Sequence, residues 1–70
     1  MDIKIRDKDE FIRLGQALKK AGAVSSGLDA KMVILNGEVT VNGVIENRRG
    51  RKLYPGDAIA FADEVFQITE

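Results

Sequence analysis

The stretch "EVTVNGVIENRRGRKLYPGDAI", residues 38–59, decides how this chain folds. Two β-prone runs, Glu38–Val41 and Val44–Glu46, flank Asn42-Gly43, a strong short signal for a two-residue type I′ hairpin turn. In such a hairpin Val39, Val41 and Val44 share one face. Pro55 and Gly56 then suit the two central positions of a type II turn, because Pro presets φ and Gly accepts a positive φ. Between these two turns lie Arg48, Arg49, Arg51 and Lys52, four cations in five positions.

Downstream, "AIAF" (58–61) and "VFQIT" (65–69), separated by "ADE", read as a second hairpin. Upstream, "DIKI" (2–5) alternates like a short strand, with Ile3 and Ile5 on one face. "DKDEFIRLGQALKKAG" carries helix signals: Asp7 with Glu10 as an acidic capping box, Phe11, Leu14 and Leu18 at helical spacing, and Gly22 as the stop. Gly15 inside that helix costs up to ~1 kcal/mol relative to alanine, which points to close approach of another backbone. After a short link, Ser26 with Asp29 caps a second helix from Gly27 to Leu35, closed by Asn36-Gly37. Leu28, Met32 and Leu35 mark its apolar face, widened by Ala30, Val33 and Ile34. The element order is β-α-α-β-β-β-β. The expected core is Phe11, Leu14, Leu18, Met32, Leu35, Val39, Phe61 and Phe66.

Seventy residues make one domain, 1–70, with a thin stability margin. With no His and no Cys, zinc frameworks, Ser-His triads and thiol nucleophiles are excluded. The carboxylates offer pairs such as Asp63-Glu64, but a chain this small has little room to bury one beside a substrate cleft, so an enzyme is not expected. No cofactor or metal is implied. The longest apolar run, Met32–Leu35, is far short of the ~20 residues that span a bilayer, and the amino terminus lacks the apolar stretch of a signal peptide. The expectation is a small soluble cytoplasmic protein without a membrane partner.

Eleven Lys and Arg balance eleven Asp and Glu, yet the charge is sorted. Residues 13–52 hold eight cations against three anions, a local +5, whereas residues 1–12 carry −1 and residues 53–70 carry −4. Sorted charge gives a neutral molecule a positive face that attracts anionic partners.

The ordered set "RLGQALKKAG", "SSGLDAKMVILNG", "EVTVNG", "RRGRKL" and "PGDAI" resembles the RNA-binding domain named after ribosomal small-subunit protein four, over roughly residues 11–61. It looks most like the short standalone bacterial YbcJ-like group. The resemblance implies an α+β fold with the alpha-L RNA-binding motif: two short helices packed on a small, mostly antiparallel sheet of about five strands. It also implies a monomer that binds RNA, structured or ribosomal. Two departures stand out: Gly15 replaces an aspartate common in the family, and Ser26, Gly27 and Lys31 stand where several members carry an arginine.

Arg48, Arg49, Arg51 and Lys52 lead the candidates, since guanidinium groups chelate phosphate oxygens and stack on bases. Their density leaves them too many for local pairing with Glu46, Asp57, Asp63 or Glu64. Lys19 and Lys20 complement a helix C-terminus whatever else they do, and the resemblance sets them beside the RNA surface. Ser26 is an N-cap whose helix start offers free amides to a phosphate. Lys31 and Arg13 complete the RNA-binding set, Arg13 through the resemblance. Lys19, Lys20, Lys31 and residues 48–52 are expected to converge on one concave positive face. Tyr54, just before Pro55, either stacks on a base or packs against the turn.

Three rival readings compete with RNA binding. A β-grasp sulfur carrier shares the "V-x-V-N-G" hairpin but needs a carboxy-terminal Gly-Gly, whereas this chain ends "QITE". A non-catalytic adaptor that binds an acidic protein through the same loop remains the alternative. Duplex DNA is unlikely, because the second helix offers one lysine to a major groove.

Overall fold

The computed structural model describes all 70 residues. Its elements are β1 (Asp2–Lys4), β2 (Ile12–Arg13), α1 (Leu14–Lys20), α2 (Gly27–Leu35), β3 (Thr40–Val41), β4 (Val44–Ile45), β5 (Lys52–Leu53), β6 (Ala58–Phe61) and β7 (Glu64–Thr69). Five strands form one sheet in the order β1-β7-β6-β3-β4, antiparallel except where β1 runs parallel to β7. A separate two-stranded ribbon pairs β2 with β5 in antiparallel register, Ile12 opposite Leu53 and Arg13 opposite Lys52. The fold is the expected α+β arrangement of two short helices on a mostly antiparallel five-stranded sheet.

The core lies between the helices and the sheet. Alternation along β7 buries Phe66 and Ile68 and turns Val65 and Gln67 outward. Phe66 and Ile68 belong to one core with Ile3 from β1, Ile59 from β6, Val41 from β3 and Val39 just before it, Leu14, Ala17 and Leu18 from α1, Ile34 from α2, and Leu53 from β5. Burying an aliphatic or aromatic side chain contributes about 1.5–3 kcal/mol, so this small set carries most of the driving force.

Both hairpin turns are type I′. Asn42 and Gly43 have φ of 53° and 84°, as their identities require. The second turn is tighter than expected: Ala62 and Asp63 alone connect β6 to β7, with φ of 54° and 65°. Gly56 has φ 99°, and the Asp57 amide donates to the Tyr54 carbonyl, closing the Pro55-Gly56 turn. The first hairpin and this turn are tied together. Asn42 Nδ2 donates to Asp57 Oδ1 at 3.0 Å, and the Ala58 amide donates to Asn42 Oδ1 at 2.9 Å. Asp57 also accepts from the Tyr54 amide at 2.8 Å, and these bonds hold its carboxyl below the usual range, the Tyr54 amide foremost. So Asn42 is both a turn former and a bracket.

Three expectations are corrected. First, α1 begins at Leu14, not after Asp7. Residues 6–9 make a turn in which the Asp9 amide donates to the Arg6 carbonyl, and Ile12–Arg13 are drawn into the ribbon with β5. Phe11 therefore lies outside the helix and outside the core. Second, α2 has its expected bounds and the expected Ser26 cap on the Asp29 amide, but it buries Ala30 and Ile34 while Leu28, Met32 and Leu35 face outward. Residues 32–35 are all apolar and cover the whole circumference, so spacing alone does not choose a face. Third, Val44 stands opposite Val41 as the hairpin demands, yet it is exposed because β4 is the sheet edge.

Non-glycine residues in the left-handed region cost about 1–2 kcal/mol each. Replacing Ala62-Asp63 by Asn-Gly should therefore stabilise the β6–β7 turn and raise the thermal midpoint by several degrees, read by circular dichroism. A lowered midpoint would show that this turn is not strained.

Candidate functional site

The four-cation loop is built around a carboxylate. Glu46, at the end of the first hairpin, is 7% exposed and is the only buried charged residue. Its Oε2 accepts from the Arg48 amide and Arg48 Nε, both at 3.1 Å. Its Oε1 accepts from one terminal nitrogen of Arg48 at 3.0 Å and one of Arg51 at 2.9 Å. The expectation that these cations are too dense to pair is thus corrected for Arg48 and Arg51. One carboxylate has two oxygens and about four lone-pair sites, enough for two guanidinium forks. The Arg48 hydrogen bonds hold the Glu46 carboxyl down at about 2; burial opposes them, and Arg51 adds to the lowering. Arg48, still 74% exposed along its side chain, spends two side-chain N–H groups on Glu46 and keeps three for a ligand.

Backbone bonds then fasten this loop to the start of α1. The Leu14 amide donates to the Arg51 carbonyl at 2.9 Å and the Gly15 amide to the Arg49 carbonyl at 3.0 Å. Two helix-start amides, which normally need a capping side chain, are satisfied by the basic loop. The Arg13 guanidinium donates to the Gly50 carbonyl at 2.7 Å, and Gln16 Oε1 accepts from the Arg13 amide at 3.2 Å. Gly15 is the close approach anticipated from its place in the helix. The crowding comes from a side chain rather than from the expected backbone: a Cβ there would sit 2.7 Å from Arg49 Cγ, too close unless the Arg49 side chain moves, but 3.6 Å from the Arg49 carbonyl oxygen.

Two adjoining depressions result. One is lined by Arg13, Arg48, Gly50, Arg51 and Lys52, with no apolar side chain. The other runs between the helices and the loop and is lined by Arg13, Gly15, Gln16, Lys19, Gly27, Ala30, Arg49 and Gly50. Arg13 and Gly50 belong to both, so the two form one basic surface. Ser26 lines neither depression, although its neighbour Gly27 does; its hydroxyl caps the Asp29 amide of α2.

Of the nine candidate residues, six line this surface: Arg13, Lys19, Arg48, Arg49, Arg51 and Lys52. Lys20 does not converge with them. Its ammonium donates to the Lys4 carbonyl, and it lines a separate hollow with Ile5, Arg6 and Asp9. Adjacent helix residues point about 100° apart, so Lys19 and Lys20 cannot share a face. Lys31 is exposed one turn beyond Gly27 and lines neither depression. Lys19, Arg49 and Lys52 form no salt bridge. By sequence, Glu46 is too little to pair the cluster, and Gln16 carries no expectation as part of the site. The available signal was a lone Glu two residues before Arg48 and five before Arg51, the one anion within reach of the cluster on its amino-terminal side.

Comparison with known proteins identifies the family. A family model described as "S4 domain" matches residues 3–69. A Bacillus subtilis protein named "Probable ribosome maturation protein RlbA" is 52% identical over 50 residues, 71% of this chain and 70% of that protein. Escherichia coli YbcJ is 34% identical over 61 residues, 87% of each chain. The solution structure of YbcJ, described as revealing an alpha-L motif involved in RNA-binding, superposes with a TM-score of 0.74 at 30% identity, covering 99% of this chain and 86% of that one.

Two measurements test the architecture of the site. Because the folded Glu46 carboxyl is depressed from 4.5 to about 2, its stabilisation is present above pH ~4.5 and is lost as the pH falls through that interval. Glu46→Gln should cost about 1–3 kcal/mol in urea unfolding at pH 7, and the difference from wild type should shrink between pH ~4.5 and ~2. A difference that does not change with pH would remove Glu46 as the organising charge. Gly15→Ala should destabilise wild type despite alanine's better helix propensity, but should stabilise an Arg49→Ala background by up to ~1 kcal/mol. Equal effects in both backgrounds would contradict the Gly15–Arg49 contact.

Proposed function

As the chain belongs to the S4 domain family, we propose that it is a non-catalytic module that recognises structured RNA through the surface made by Arg13, Lys19, Arg48, Arg49, Arg51 and Lys52. The carrying observation is the continuity of the two depressions. A floor of cations without apolar side chains passes through Arg13 and Gly50 into a groove ending at the start of α2. Phosphates would lie on the guanidinium forks, and the free amides at the α2 N-terminus, beside Ser26, would take another. Lys31 extends this path along α2. Lys20 contributes through the local field rather than by contact.

Such a surface reads shape and phosphate spacing more than base identity. Ribosomal RNA is the favoured target, and the name of the Bacillus subtilis relative supports it. Duplex DNA is a poor fit, because the outer face of α2 carries Leu28, Met32 and Leu35 where a recognition helix needs polar side chains. On this reading the protein works as a cytoplasmic monomer.

A salt titration of binding to a fluorescent ribosomal RNA stem-loop tests the proposal. Lys19 and Arg49 form no salt bridge, so Lys19→Glu/Arg49→Glu reverses charge without orphaning Glu46. Wild type should show log K falling linearly with log salt, and the double variant should lose about 0.7–0.9 of slope per phosphate contact removed. Its affinity should fall at least about tenfold with the fold intact. Absence of wild-type binding at low salt would overturn the RNA reading and leave an acidic protein as the partner to seek. An unchanged slope in the variant would move the RNA contact elsewhere.

A further inference from the structure

The β2–β5 ribbon has an inner and an outer face. Ile12 and Leu53 stand opposite each other on the inner face, Leu53 fully buried in the core and Ile12 packed against it. Residues two apart along a strand share a face, so Arg13 and Lys52 occupy the outer face with Phe11 and Tyr54 beyond them, about 6.6 Å further along. The ribbon thus presents an aromatic pair joined to a cation pair. The cation pair is part of the basic floor described above.

The two rings are not equivalent. Phe11 is covered by cations, with Lys52 Nζ 4.8 Å and the Arg13 guanidinium carbon 5.4 Å from its centroid. Tyr54 leans on Phe11, with centroids 6.0 Å apart and planes at 53°, yet stays 46% exposed. Its backbone is held on both sides: the Tyr54 amide donates to Asp57, and Pro55 confines the residue before it to extended conformations. Tyr54 makes no side-chain hydrogen bond within the chain. A ring that is buttressed, rigid and open on one side loses little entropy when something stacks on it.

We propose that Tyr54, backed by Phe11, is a stacking site for one unpaired RNA base whose phosphate lies on Arg13 and Lys52. The proposal rests on the RNA-binding reading and deepens it. Base-aromatic stacking is tolerant of sequence, because every base has a π face. The consequence is selectivity for structure: a stem interrupted by a bulged nucleotide over the same stem fully paired, whose bases are stacked away from the ring.

The test uses the intact protein and two RNA stem-loops that differ by a single bulged 2-aminopurine. Wild type should bind the bulged stem about 5- to 150-fold more tightly than the paired one, the worth of one stacked base, and should change the 2-aminopurine fluorescence. Tyr54→Phe should keep both effects. Tyr54→Leu, which retains apolar bulk against Phe11, should bind the bulged stem no better than the paired one and leave binding of the paired stem unchanged. Equal wild-type affinity for the two stems, or equal weakening of both by Tyr54→Leu, would overturn the stacking site while leaving the phosphate surface standing. Failure of wild type to bind either stem would remove the RNA reading, and the stacking site with it.

Discussion

Glu46 is the charge around which the basic surface is assembled. Arg48 and Arg51, left to themselves, would repel each other and the cations on either side. A nearly buried carboxylate that accepts from both lets them be held close together while most of their N–H groups stay free. The loop so ordered then offers its own carbonyls to the first amides of α1. Charge, loop shape and helix start are therefore one construction, and Gly15 is small because the loop passes over it. An unpaired buried carboxylate would be costly, so Glu46 and its two arginines stabilise one another.

The same economy holds at the other end of the ribbon. Asn42 forms the turn of the first hairpin and also grips Asp57, so the "VNG" and "PGD" segments stabilise each other across the sheet. This bracket places β5 between two anchored turns and presents Lys52 and Tyr54 on its outer face. A chain of 70 residues with no disulfide or metal gains rigidity at its surface from such shared bonds rather than from a large core.

What the sequence made legible was local. Asn42-Gly43 and Pro55-Gly56 have few steric options, so their turns were readable, as were the Ser26 cap and the left-handed stops at Gly22 and Gly37. Density of charge revealed the basic loop. Long-range pairing was not readable. Asp7 and Glu10 look like a cap, but Ile12 pairs with Leu53 and Arg13 with Lys52, far along the chain, and that ribbon delays the helix. The apolar residues of α2 cover every side, so only packing against α1 and the sheet selects Ala30 and Ile34. Lys20 turned aside to a backbone carbonyl of β1 that no sequence pattern marks. Glu46 showed as one acid among eleven until the fold placed it beneath two arginines.

The account turns on where RNA touches the protein, and amide chemical-shift mapping during titration with a ribosomal RNA stem-loop reads this directly. Shifts concentrated in residues 13–16, in the first turn of α2 and in residues 48–54, with β1 and β7 quiet, are the predicted result. Shifts confined to the sheet edge at β4 or to the acidic turn at residues 6–10, with the loop around Glu46 silent, would contradict it.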